Sequence, residues 1–104
     1  MDEALAYFNK AIQSNANYGD AYNNRGVIRA RKNQMPEALS DFNTSVKLSP
    51  DYANAWFNLG NALVETKDSA RGIDDMEKAA NFYLKQGNRD GYDHVEERIK
   101  LIHP

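Results

Sequence analysis

The sequence predicts an all-α chain: a solenoid of antiparallel helix pairs, about six helices long, closed by a C-terminal capping helix. The first observation behind this is a repeat of about 34 residues. At that step Ala4, Ala38 and Gly72 coincide, as do Leu5, Leu39 and Ile73, then Phe8, Phe42 and Met76, then Ala11, Ser45 and Ala79. Between them Tyr22 coincides with Trp56, Asn24 with Asn58, and Gly26 with Gly60. The second observation is apolar spacing of helical period through nearly the whole chain, with no alternating β-branched segment long enough for a strand. A repeat of this size cannot bury its apolar face alone, so it must stack on neighbours.

The spacing places helices over residues 2–14, 19–32, 36–48, 53–66, 69–86 and 89–102. Leu5, Phe8 and Ile12 form the stripe of the first, Leu39, Phe42 and Val46 that of the third, and Ile73, Met76, Ala80 and Tyr83 that of the fifth. Pro36 suits a first helical position, where its missing N–H costs nothing, and Pro50 closes the same helix. Asn17 and Asp51 lie one repeat apart, each just before a helix. With Asp68 they are candidate caps for the orphan N–H groups of a first turn. Gly26 and Gly60 fall inside helices, which implies close approach by a neighbour carrying small residues such as Ala38 and Gly72.

Composition narrows the function. The 104 residues carry a net charge of −2, which argues against a nucleic-acid-binding face. No apolar run approaches the roughly 20 residues needed to span a bilayer, and the N-terminus lacks the basic-then-apolar pattern of a signal peptide. Cysteine is absent, which excludes disulfides, thiol catalysis and cysteine-ligated metal and fits a reducing, cytoplasmic setting.

The repeat resembles the tetratricopeptide repeat. Trp56, Leu59, Gly60, Leu63, Gly72, Met76 and Ala79 follow its pattern in one copy, and Tyr22, Gly26, Ala38, Phe42, Ser45 and Pro50 in the preceding one. The resemblance implies a right-handed superhelix organised as one domain over 1–104. Residues 1–18 are the second half of a repeat, 19–52 and 53–86 are repeats, and 87–104 carry the capping helix. Three departures stand out. The helix over 2–14 has no partner helix before it, as in a piece of a longer solenoid. Arg25 and Arg29 replace the usual leucine and aromatic, and a guanidinium–carboxylate pair with Asp41 would satisfy them. Leu84 stands where a proline is usual, so its helix runs on to Gly87-Asn88. Beyond that point the repeat is lost, and Tyr92, Val95, Ile99 and Ile102 form the single apolar face of a cap.

Nothing in the sequence points to catalysis, a cofactor or a metal. His94 and His103 lack further converging ligands, and no serine has a base beside it. Asp90, Asp93, Glu96 and Glu97 lack calcium-loop spacing, and no phosphate-binding glycine loop is present. The resemblance implies instead a non-enzymatic scaffold that holds a peptide segment or helix of a protein partner in a concave groove. That groove would be lined by Asp20, Asn23, Asn24, Val27, Ala30 and Arg31 and by Asn54, Phe57, Asn58, Asn61, Val64 and Glu65. Asparagine amides can pair with both C=O and N–H of an extended backbone, and Asn24 and Asn58 occupy equivalent positions for such a ladder. The cations of a carboxylate clamp are missing: Asp20, Asn54 and Phe57 hold those places. The alternative is self-assembly, with Leu5, Phe8 and Ile12 covered by a second copy in a homodimer.

Overall fold

Period and punctuation materialise as six helices in the computed structural model, which describes residues 3–102. They are α1 (Glu3–Ser14), α2 (Gly19–Arg31), α3 (Met35–Leu48), α4 (Ala53–Glu65), α5 (Ser69–Lys85) and α6 (Arg89–Ile102), with no strand among the described residues. The expected limits hold to within one residue. Asp2, placed at the first helix start, and His103 lie outside the described residues. Pro36 sits at the second helical position, behind Met35.

The helix starts differ from expectation in chemistry. Asn17, Asp51 and Asp68 make no side-chain cap bond to the helices they precede. Backbone carbonyls do that work: Tyr18 accepts from Ala21 and Tyr22, Tyr52 from Ala55 and Trp56, and Asp68 from Gly72. The Asn17 N–H itself donates to Asn15 Oδ1, and the Asp68 carboxylate lies 3.6 Å from Arg71. A side-chain cap forms at α6 instead, where Asn88 Oδ1 accepts from the Gly91 N–H at 2.9 Å.

Three helices share one exit. Asn33, Lys67 and Gly87 are left-handed, at φ 63°, 73° and 74°. The N–H after each returns to a carbonyl five residues back: Gln34 to Arg29, Asp68 to Leu63 and Asn88 to Tyr83, each at 2.8 Å. This arrangement satisfies carbonyls that the helix end would leave open.

The chain forms two compact units that part between Pro50 and Asp51. In the first, α2 packs on α1 and on α3. The Phe42 ring, 2 % exposed, lies on Gly26, where a Cβ would come within 2.7 Å of it. Ser45 Oγ donates to the Gly19 carbonyl at 2.8 Å. Between α2 and α3 the expected ionic pair is present and larger than expected. Arg25 reaches Asp41 with two N–H groups, at 2.9 and 2.7 Å, and Arg29 adds a third at 3.1 Å. Arg25 also donates to Asn9 Oδ1 of α1 at 3.0 Å. The Asp41 side chain is 3 % exposed, and its hydrogen bond raises the Arg25 pKa, so the guanidinium stays charged.

In the second unit α5 packs on both α4 and α6. Gly60 and Gly72 face each other: a Cβ on Gly60 would stand 2.6 Å from the Gly72 carbonyl oxygen, and one on Gly72 would stand 2.7 Å from that of Gly60. Met76, Ala79, Ala80 and Val95 form the core beside this crossing, with Trp56, Tyr83, Tyr92, Ile99 and Ile102 against it. Asp75 occupies the register of Asp41, but Leu59 and Leu63 stand where Arg25 and Arg29 would be. Its one described ion pair, to Lys78, is 3.8 Å long. Burial raises the Asp75 pKa above the ordinary 3.8.

The two carboxylates therefore respond oppositely to the same change. Asp41→Asn leaves two partly buried guanidinium groups without a counter-charge and should destabilise by about 2–4 kcal/mol. For Asp75 the raised folded pKa means that the fold favours the protonated form. Its ionised form costs stability above that pKa, and the cost is gone below 3.8. Asp75→Asn should raise the melting temperature at neutral pH, and the gap to the parent should close on acidification, as thermal melts across pH will show.

Gly60→Ala should lower stability by about 1–3 kcal/mol in denaturant titration, because the overlap falls on backbone and outweighs the helix propensity that alanine adds.

Candidate functional site

Helix geometry puts residues i, i+4, i+7 and i+11 on one stripe. Asn54, Asn58, Asn61 and Glu65 form such a stripe on α4, and Asp20, Asn24, Val27 and Arg31 form its equivalent on α2. Asp20, Asn24 and Arg31 are exposed and Val27 and Ala30 are half-buried. Asn23 is 3 % exposed and packs inside instead of facing solvent. On α4, Asn54 and Glu65 are exposed, while Phe57, Asn58, Asn61 and Val64 are half-buried.

In the second unit the stripe is tied to its neighbours. Asn54 Oδ1 accepts from the Tyr83 hydroxyl of α5. Burial raises the Tyr83 pKa, which keeps that hydroxyl a donor. Asn61 Oδ1 accepts from Arg98 Nε of α6 at 2.9 Å, and the Phe57 ring meets the His94 ring edge-on, centroids 5.3 Å apart. Each amide bond uses the oxygen, so the NH2 group of the same side chain remains a donor of two protons.

These contacts put His94 and Arg98 against α4, a second face of α6 besides the apolar one expected of a cap. Beside His94 on the same stripe lie Asp90, Glu97 and Leu101, in the same register as Asn54, Asn61 and Glu65 but 36 residues on. All three are exposed, Leu101 at 77 %. The signal was hidden because α5 has 17 residues where α3 has 14, and the α5–α6 link has three where the α3–α4 link has four. The repeat slips by two residues, and a search at 34 loses it.

On the other proposed surface, Leu5, Phe8 and Ile12 are half-buried and no described residue of α1 is fully buried. Among the described residues no group of three or more histidine, cysteine or acidic side chains could hold a metal ion, and no helix is long and apolar enough to cross a membrane.

Two family models match the chain, one described as TPR repeat over residues 28–67 and one as tetratricopeptide repeat over 53–86. A search of curated proteins by sequence finds no match. Among solved structures, the fold is similar to the TPR2B domain of yeast Sti1 in its complex with pHsp70. The TM-score is 0.88 at 17 % identity, over 94 % of this chain and 78 % of that one. The Sgt2 TPR domain from Aspergillus fumigatus follows at TM-score 0.73 and 20 % identity, over 92 % of this chain and 66 % of that one. YrrB, described as a TPR protein with an unusual peptide-binding site, gives 0.67 and 20 %, over 92 % of this chain and 57 % of that one. With the glycine crossings, the register of paired helices and the two matched repeats in agreement, the chain belongs to the tetratricopeptide-repeat family.

Proposed function

We propose that the chain is a non-enzymatic interaction module of the cytoplasm that holds an extended peptide segment of a protein partner along the asparagine stripe of α4. The observation that carries this reading is the α4 stripe. Asn54 and Asn61 have their oxygens fixed by Tyr83 and Arg98, which orients the side chains before any ligand arrives. A pre-oriented amide loses little rotamer freedom on binding, and contacts to peptide backbone tolerate varied sequence. Among proteins of similar fold, the TPR2B domain of yeast Sti1 stands in a complex with pHsp70 and YrrB has an unusual peptide-binding site, which supports the same class of task. A net charge of −2 sets nucleic acid aside as a partner. Asn58→Ala should weaken peptide binding by about 1–2 kcal/mol in calorimetry. Full binding by the Asn58→Ala variant would sink this reading.

A second reading, self-association through α1, is favoured by one comparison. Phe42 on α3 is buried at 2 %, whereas Phe8, in the same register on α1, remains half-buried beside Leu5 and Ile12. Covering such a face with a second copy would recover the remaining fraction of the about 1.5–3 kcal/mol that full burial of a large side chain is worth. Leu5→Glu with Phe8→Glu should then convert a dimer to a monomer in sedimentation. A parent chain that is monomeric at high concentration refutes this reading.

A further inference from the structure

We infer that the peptide-binding face of the second unit extends onto α6 and selects a segment carrying a lysine or arginine side chain. This rests on the peptide-binding reading and adds the chemistry of the ligand. The reading of α6 as a cap accounts for only one of its faces. Val95 is fully buried against Met76, Ala79 and Ala80, and Tyr92, Ile99 and Ile102 pack beside it. A different face carries His94 to Phe57 and Arg98 to Asn61, so α6 lies alongside α4 and its stripe adjoins the asparagines. The two stripes together, Asn54–Asn58–Asn61–Glu65 and Asp90–His94–Glu97–Leu101, make one surface with the Phe57–His94 rings between them.

Charge on this surface is net negative, three acids against the one guanidinium of Arg98. Glu65, Asp90 and Glu97 are exposed acids on the stripes, while the neighbouring Arg98 directs its Nε to Asn61. Arg89, at the far edge, pairs with Asp93 at 3.2 Å. An acidic peptide or a chain-terminal carboxylate would meet repulsion here. A basic side chain would lay its methylene stem over the Phe57–His94 rings and bring its head to Asp90 or Glu97, as long amphipathic cations do on mixed surfaces. The asparagine amides would hold the adjoining backbone, and the exposed Leu101 offers an apolar contact beyond.

Selection from a library of random linear peptides with amidated C-termini tests this. The expected result is enrichment of lysine or arginine at one position. The selected peptide should bind less tightly as salt rises from about 50 mM to about 500 mM. Asp90→Asn with Glu97→Gln should weaken that peptide by about three- to tenfold while binding its norleucine version as the parent does. Both residues are exposed, and an unchanged circular dichroism melt shows that the variant folds. Selected peptides without a basic preference, or equal binding by the double variant, overturn the inference and leave peptide binding standing. If no peptide is selected at all, the peptide-binding reading falls and the inference falls with it.

Discussion

Close approach of paired helices is the constraint on which the rest of this molecule depends. Two helices come together only as far as the groups between their axes allow, and backbone contact requires those groups to be hydrogen atoms. At Gly60 and Gly72 each α-carbon faces the other's carbonyl, so neither position admits a side chain without parting α4 from α5. At Gly26 the vacated space is filled by the Phe42 ring, and the small neighbour expected there, Ala38, is buried nearby without being the nearest contact. Once these crossings are fixed, the register of everything else follows. Met76 falls into the core, Asp75 falls in the register of Asp41, and α4 carries its asparagines on one stripe.

The same backbone arrangement carries two different interiors. In the first unit a buried carboxylate is clasped by two guanidinium groups, one of which also reaches Asn9. In the second unit leucines fill the equivalent places, and the carboxylate in that register has one long ion pair. Buried ionic networks seldom add stability over apolar packing, but they are strict about geometry, since any shift leaves a charge uncompensated. The Arg25–Asp41 clasp therefore specifies how α2 and α3 meet, and bulk burial holds α4 and α5.

Most of this was legible in the sequence. Helical period and glycine placement gave the six elements to within a residue, because each is a direct geometric requirement. The Arg25–Asp41 pair was legible because two cations at apolar positions need a counter-charge on the facing helix. Side-chain caps were not. Asn17 and Asp51 have the right chemistry one residue too early, and the carbonyls of Tyr18 and Tyr52 take the bonds. The inward turn of Asn23 was also hidden, since an asparagine on a helix carries no mark of the side it faces. The stripe on α6 escaped because a two-residue slip breaks a fixed-period search while leaving the packing intact.

The shared left-handed exits at Asn33, Lys67 and Gly87 have a consequence for how this protein can change over time. Connections in most folds are the permissive places, where lengthening costs little. Here three of the five are rigid hinges of three residues, each tied back to its helix by a bond to the fifth residue before it. One added residue would move the donor of that bond and change where the following helix starts. Among the links, the four-residue ones, 15–18 and 49–52, lack this tie and are the places where length is freer to vary. The slip between α5 and α6 shows the other permitted route, a longer helix ending in the same exit, through which a repeat can drift in length while its packing is conserved.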